Sequence, residues 1–430
     1  CLSSAVTEHL VATLGISPVA ARKRVSRLAG NVRRLGYITF PRKARYMYLK
    51  QQFGSPQYWE NLVEALMLTK SAYGHAIAAL RQRGGAVPER LFTIVCGSPV
   101  KQLKHLSAEN VLKHLIEAGL LQRVALPGLG DCIVIVQAEG YYDGLAEMVR
   151  TRLITEGFLL TAVSDWLKKL GIVSYGKVAT RDGDALPRVG TFAWDLTAPS
   201  YLGPMVKSGK EGKDKPGFVV CDVHLGEYAT VEGVRPFVTK CKSLRGLRNI
   251  GPCLQIFVTG GYSSAAFKLL KENGIVPATP ANLFGEEIAA GLKQFSSVLT
   301  TAAARSTIDP AAFDELFSKF GKIEGAANQL RGTLFEYLAA DILRKGGAHQ
   351  VRMNRIFKRD AKEAEADVIA VRDNLSLTFI ECKGHSPYGE TPHDEVEKWL
   401  QHNVPIFFKS AREHDDWKNL PLHFEFWTTA

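Results

Sequence analysis

Several things are missing from this 430-residue chain. No stretch of apolar residues approaches the roughly 18 needed to span a bilayer, which excludes a membrane-spanning helix. The opening Cys1-Leu2-Ser3-Ser4 has no basic segment leading into a hydrophobic core, so no signal peptide is expected. A start on Cys rather than Met points to a longer or processed parent. Cysteine is sparse: seven residues, at 1, 96, 132, 221, 241, 253 and 382, with no Cys-x-x-Cys pair. That excludes a zinc ribbon and a disulfide framework, and a reduced cytoplasm is the expected setting. There is no glycine-rich phosphate loop of the Walker type, so an ATP-driven motor would have to be another chain. Nor is there a set of aromatics arranged to stack RNA bases.

What is present is a globular composition, 46% hydrophobic and 23% charged, long enough for about three domains. The net charge of +11 is unevenly placed. Residues 1–138 hold 18 Lys/Arg against 7 Asp/Glu, whereas residues 329–430 hold 14 against 16. A polyanionic partner would therefore be drawn to the N-terminal third.

The most informative stretch is Glu365-Ala366-Asp367-Val368-Ile369-Ala370-Val371, then Leu377-Thr378-Phe379-Ile380-Glu381-Cys382-Lys383-Gly384. Two apolar runs joined by Arg372, Asp373 and Asn374 predict a β-hairpin with charges where a core strand should be apolar. Alternation sends Glu381 and Lys383 to one face and Cys382 to the other, with Asp367 on the neighbouring strand in reach. Buried charges of this kind persist when paired or bound to metal, and this oxygen set suits a hard divalent cation. Upstream, apolar residues at 334, 335, 338, 339, 342 and 343 predict one helical stripe with Glu336 at its margin.

Helix with Glu, hairpin with Asp, Glu-x-Lys, a further helix over Asp394–Gln401 and closing strands: this order resembles the PD-(D/E)XK, or restriction-endonuclease-like, nuclease superfamily over about the last hundred residues. The resemblance implies that Asp367 and Glu381 hold Mg²⁺ (or Mn²⁺) with help from the Cys382 carbonyl. It also implies that Lys383 positions or deprotonates the attacking water, and that Glu336 stands beside the ion, directly or through water. Ala366 replaces the Pro of the family's name. A carboxylate-held cation supplies charge relief and a nucleophilic water for phosphodiester hydrolysis. Next to such a cation the ammonium form of Lys383 would be disfavoured.

Towards the N-terminus, Ala5–Leu14 and Val19–Leu35 predict two helices around a turn in which Ser17 caps and Pro18 starts the second. The second carries Arg22, Lys23, Arg24 and Arg27 outward, with Val25, Leu28 and Val32 inward. Tyr37–Phe40 and Arg45–Leu49 predict a ribbon with Arg42 and Lys43 at its tip. Residues 1–55 thus resemble a winged helix-turn-helix, a shape that docks on double-stranded DNA; the alternative is a protein-interaction winged helix with a solvated basic face, and the excess of Lys/Arg favours nucleic acid. Residues 56–138 repeat the pattern with less positive charge, Ser107 capping a helix and residues 120–136 forming the wing; without a basic helix, this unit suits dimerisation or domain packing as well as DNA contact.

Residues 139–300 return to α/β order: helices at 143–153 and 159–170, Thr191–Leu196, a lysine loop at 206–216, Gly217–His224, a helix at 231–244, Leu254–Thr259 and a helix at 263–273. This resembles a degenerate, Mrr-like restriction-endonuclease core in which Asp195 and Asp222-x-His224 stand at the acidic positions. It could be a second metal site, or a duplicated core kept as scaffold or DNA clamp. Residues 301–328 read as a helical connector to the nuclease domain at 329–430. The fold class expected is multidomain α/β: N-terminal winged-helix units followed by two restriction-endonuclease-like α/β/α cores.

The function expected is a cytoplasmic, metal-dependent DNA endonuclease, a candidate restriction or anti-phage effector, working as a homodimer or with partner subunits of a defence system and without a membrane. Two rivals stand beside it: a non-catalytic DNA-binding regulator or assembly subunit, and a structure-specific nuclease of repair or transposition.

Overall fold

The computed structural model describes the chain except for residues 104, 137–143, 208–214, 227, 306–315, 317–318, 321–325, 360–361, 373–374, 386–389 and 430. It is a mixed α/β protein of two compact units. The first comprises Cys1–Val124, Cys132–Tyr141 and Ile172–Ala278, the second Ala125–Asp131, Tyr142–Gly171 and Thr279–Ala430. Among the described residues no helix is long and apolar enough to cross a membrane.

The first unit opens with α1 (Ser3–Leu14) and α2 (Pro18–Arg27). Ser17 caps α2, its hydroxyl accepting from the Ala20 amide, with Pro18 in the first turn. The helix expected to reach Leu35 stops at Arg27. Gly30 turns the chain at φ +75°, and the Arg34 guanidinium donates to the carbonyls of Val25, Ser26 and Leu28, satisfying the helix end. Val25 is buried as expected, but Leu28 is exposed. Arg33 and Arg34 fall in β1 (Val32–Arg34), which pairs antiparallel with β2 (Met47–Leu49). The ribbon is therefore not the one expected: Ile38 and Phe40 of the 37–40 stretch are core residues, packed with Tyr46 and Tyr58.

Next come α3 (Pro56–Leu68), α4 (Ala72–Gln82), β3 (Ala86–Pro88), α5 (Glu89–Val95), α6 (Ala108–Glu117), β4 (Leu121–Leu126) and β5 (Gly130–Ile135). Ser107 caps α6 through the Asn110 amide, as its sequence predicts. The three strands form one sheet in the order β3-β5-β4. The long helix α7 (Leu145–Lys169), in the second unit, runs unbroken where two helices were expected, because Glu156, Gly157 and Phe158 are all buried within it.

The first unit resumes with β6 (Ala179–Thr180), the short hairpin β7 (Arg188–Val189) and β8 (Phe192–Ala193), then β9 (Leu196–Ser200), β10 (Gly217–His224), α8 (Val231–Arg245), β11 (Cys253–Thr259), α9 (Ser264–Glu272) and β12 (Val276–Ala278). Their sheet has the order β12-β11-β10-β9-β6, with β10, β11 and β12 parallel and β9 antiparallel to β10. Lys207 and Lys215 of the lysine loop bridge each other through their backbones, and the residues between them lie outside the described set.

Asp195 and Asp222 are buried in this sheet. Each of their oxygens already has a donor. Asp195 Oδ1 accepts from Arg181 Nη1 (3.1 Å) and Oδ2 from the Val223 amide (2.8 Å). Asp222 Oδ1 accepts from the Asp195 amide (3.1 Å) and Oδ2 from Lys240 Nζ. Fully buried Lys240 also donates to the carbonyls of Ala193 (2.9 Å) and Ile94 (3.2 Å), and lies 4.1 Å above the Trp194 ring. Burial pushes the Asp222 carboxyl up to about 6 against the opposing pull of Lys240.

The second unit continues with α10 (Pro280–Phe284), α11 (Glu286–Arg305), α12 (Ala326–Lys345), β13 (Gln350–Arg359), β14 (Lys362–Arg372), β15 (Ser376–Lys383), α13 (His393–Lys398), a π-helical turn at Trp399–Asn403, α14 (Val404–Glu413) and β16 (Leu422–Thr428). Most of the expected 301–328 connector lies outside the described residues; of it, Phe320 is buried against Phe158 and Phe295. The sheet order is β13-β14-β15-β16, antiparallel except that β16 runs parallel to β15. One face packs Val368, Ala370, Ile380 and Cys382 against Ala339, Ala340 and Leu343 of α12. The other packs Ile369, Val371, Leu377 and Phe379 against Ile406, Phe407 and Ala411 of α14. Period-two alternation in β14 and β15 thus builds three layers.

Removing Lys240 alone should leave Asp222 as an uncompensated buried charge, at a cost of about 3–5 kcal/mol. Lys240→Met is expected to lower the unfolding midpoint markedly, and Lys240→Met with Asp222→Asn to recover most of the loss. Urea unfolding of the three proteins checks this; equal midpoints for wild type and Lys240→Met would rule out a structural role for the pair.

Candidate active site

The hairpin strands pair regularly from Arg372↔Ser376 to Val368↔Ile380, and then part. Beyond that point the Cys382 amide is bonded by a side chain: it donates to Asp367 Oδ2 at 2.7 Å. The alternation of β14 slips at the same place. Ala364 and Ala366 join the α14-side core, whereas Val368, only two residues on from Ala366, faces α12. Across β13, Asn354 takes the left-handed region at φ +50° between the pairs Met353↔Val368 and Arg355↔Ala366. The register is the same on both sides of it, so the left-handed residue breaks the alternation without inserting a residue and re-aims the side chains around it.

The opening is a cavity of about 930 Å³ lined by Asp367, Glu381, Cys382, Lys383, Glu336 and Glu365, among others. Every residue expected at the metal site is here. Lys383 Nζ donates to Glu381 Oε1 at 2.7 Å, so both emerge on one side while the Cys382 side chain is buried towards α12. Glu336 enters from α12. With the Asn354 amide turned to donate, its nitrogen lies 3.3 Å from Glu336 Oε2 and 3.1 Å from the Asp367 carbonyl.

The electrostatics are those of crowded carboxyls. Burial, then the charges of Asp367 and Glu365, push Glu336 up to about 8. Burial, then Glu381, push Asp367 up to about 7 against the Cys382 amide and Lys383. Glu365 is raised too, by burial first. Burial alone would lower Lys383, but the hydrogen bond and charge of Glu381, with Asp367 and Glu395, outweigh it and raise the ammonium's pKa. The sequence expectation of a disfavoured ammonium supposed an adjoining dication; the protein's own groups act the other way.

Glu381 Oε2 is buried and without a hydrogen-bond partner. A buried carboxylate oxygen without a donor is costly, and a hard cation is one remedy. Among the described residues no three His, Cys, Asp or Glu side chains gather at metal-holding spacing. Two carboxylates with a backbone carbonyl are nonetheless an ordinary set for Mg²⁺, which keeps much of its water. The donor set fits such an ion.

Other residues of the site had a weaker sequence signal or none. His385 Nε2 lies 3.3 Å from Glu395 Oε2, and Lys398 and His402 line the wall beside the π-helical turn. Glu365 and His385 continue the spacing of Asp367 and Lys383 by two residues, which could have flagged them. Asn354 had no signal. Gly384 has a steric reason: a Cβ there would stand 2.5 Å from the Arg331 carbonyl and 2.6 Å from the Gly332 nitrogen, so α12 approaches the end of β15 only over glycine. Arg22, Lys23, Arg24 and Arg27 are exposed on α2, and Arg42 and Lys43 are exposed in a turn with φ of 56° and 60°. These belong to the first unit, the acidic pocket to the second.

In comparisons by sequence and by fold, no family model, no curated protein and no solved structure matches the chain.

Gly384→Ala should push α12 away and destabilise the second unit by about 1–3 kcal/mol, as overpacking does. Gly332→Ala, where a Cβ meets nothing within 4 Å, should be neutral or slightly stabilising in its helix. Thermal unfolding of the two variants checks the contrast, and equal midpoints would refute it.

Proposed function

We propose that the second unit contains a PD-(D/E)XK nuclease core and that the protein is a metal-dependent DNA endonuclease. The observation that carries this reading is the convergence of Asp367, Glu381, Lys383 and Glu336 on one cavity, where two strands part and a carboxylate oxygen is left without a donor. The order of elements supports it: helix, three antiparallel strands, helix, and a last strand parallel to the third.

Asp367, Glu381 and the Cys382 carbonyl would hold Mg²⁺ or Mn²⁺. When bound, that ion would supply charge relief to phosphoryl oxygens and a more acidic water. Lys383, paired with Glu381 Oε1, would position or deprotonate the attacking water. Glu336, with Asn354, braces the Asp367 strand from the helix side. Asp195 and Asp222 have their oxygens filled by Arg181, Lys240 and backbone amides, which supports reading that sheet as scaffold.

We read α4 to β5 as the second winged-helix unit, on its order of helix, strand, two helices and a two-stranded wing, and place DNA docking on residues 1–55. The basic face of α2 with the Arg42–Lys43 turn is the proposed duplex contact. Seven free thiols suit a reducing cytoplasm. One core per chain would favour a dimer for cutting both strands, and the combination suits a restriction or defence effector.

Plasmid nicking titrated with Mg²⁺ and Mn²⁺ tests the enzyme. Asp367→Ala and Lys383→Ala are each expected to lose about a hundredfold or more of the rate, and cleavage equal to wild type in both would end the reading. Binding is tested separately. Replacing Arg22, Lys23, Arg24 and Arg27 by Ala should weaken duplex affinity and flatten its salt dependence by up to about 0.9 for each phosphate that is no longer neutralised. Mg²⁺-induced stabilisation against heat should be unchanged in that variant; an unchanged salt slope would remove α2 from the interface.

A further inference from the structure

A second cavity of the same unit, about 1020 Å³, lies on the β13 side of the acidic pocket and has the opposite charge. Its cations come from three elements: Arg150 of α7, Arg344 of α12, and Arg352, Arg355 and Lys358 of β13. Glu147 and Asp131, both exposed, are the acids in its lining. Among the described residues no carboxylate comes within ion-pairing distance of Arg150, Arg344, Arg352 or Arg355, whereas nearby Lys358, Arg359 and Lys345 are paired with Glu363, Glu413 and Asp341. Asp341 acts on Arg344 and Glu365 on Arg150 only at longer range, and four guanidiniums without a close carboxylate in one concave surface repel one another unless an anion joins them.

The groups are held in place rather than loose. Arg150 Nη2 donates to the Pro127 carbonyl at 2.9 Å, and its Nε is buried without a partner. Arg352 and Arg355 hold their guanidinium carbons 5.7 and 4.8 Å from the Trp417 ring centre, which fixes two planar forks on one aromatic. Burial, then the charge of Arg352, weakens the hold of Arg355 on its proton. From Arg352 to Lys358 the strand covers about 20 Å at the usual rise, more than a single phosphate group fills. A chain of phosphates fits that length.

The two cavities share a wall. Met353 and Arg355 line the basic one, and Asn354 between them reaches Glu336 and the Asp367 carbonyl of the acidic one. Arg150 also acts on Glu365, pulling its carboxyl down. We propose that this groove holds the phosphodiester backbone of duplex DNA next to the bond to be cut. The choice of DNA as the polymer rests on the nuclease reading above. Arginine forks on successive phosphates would fix the register of the strand, and the acidic pocket would receive the phosphate that follows.

The test uses the full chain carrying Ala at 22, 23, 24 and 27, so that α2 does not mask the groove, and a short DNA duplex in EDTA, followed by anisotropy over a salt series. Arg352→Gln with Arg355→Gln is expected to weaken binding roughly tenfold or more and to lower the salt slope by about two. Arg352→Lys with Arg355→Lys should keep most of the affinity, and thermal unfolding should find both pairs folded. A folded Gln pair with unchanged affinity and slope overturns the proposal. Cutting is not needed for this assay, so the two readings fail separately. Unaltered binding together with Asp367-dependent nicking sinks the groove alone, and groove-dependent binding without any nicking sinks the nuclease alone.

Discussion

The carboxylate of Asp367 takes the hydrogen bond of the Cys382 amide that a backbone carbonyl would have taken had β14 and β15 stayed together. A buried amide without a partner would cost about 1–3 kcal/mol, so the strands can part there only because a side chain fills in. That one substitution fixes Asp367 beside Glu381 and Lys383. It also crowds carboxyls: Asp367 is pushed up to about 7 and Glu336 to about 8, by burial first and then by their neighbours. The interaction that shapes the cavity therefore also leaves it short of positive charge.

The chain contains a useful contrast. In the first unit two buried aspartates meet, Asp222 on β10 and Asp195 in the bend before β9, much as Asp367 and Glu381 meet in the second. There Arg181 and Lys240 reach them, backbone amides take the remaining oxygens, and the cluster is closed. In the second unit one ammonium serves the set, and Glu381 Oε2 has none. A pair of acids brought together in a sheet thus leads to a structural ion pair in one unit and to an unfilled acceptor in the other. The difference lies in where the compensating cation comes from: α8 and the strand-end Arg181 are remote in sequence from the motif, whereas Lys383 is part of it.

That difference also explains what could be read from the sequence. The hairpin, the shared face of Glu381 and Lys383 and the caps at Ser17 and Ser107 are local, and local periodicity and side-chain chemistry reveal them; the stripe of α12 is met only in part, since Ile342 is exposed while Tyr337, Ala340 and Asp341 are buried. Lys240 beneath Asp222 is not local, and nothing in its helix marks it. Strand β13 was invisible for another reason. Its residues Gln350–Arg359 are mostly polar, as suits a sheet edge, and the left-handed Asn354 interrupts the period-two signal that would have shown a strand. Residues 37–40 misled in the opposite direction: Tyr37, Ile38 and Phe40 look like a strand, but Ile38 and Phe40 are fully buried core, and the pairing fell to the basic Val32–Arg34 instead.

Net charge leaves out how the charges are placed. With 14 basic against 16 acidic residues, the last hundred residues seem unable to attract a polyanion. Yet screening limits each charge to about 10 Å at ordinary ionic strength, so a ligand responds to the groups it touches and not to the sum. The fold sorts them. Acids from α12, β14 and β15 gather at the strand opening, while arginines from α7, α12 and β13 gather across Asn354 from it. On the reading proposed above, a nearly neutral segment folded into adjoining patches of opposite sign would hold a cation and a phosphate chain side by side, both of which phosphodiester hydrolysis needs.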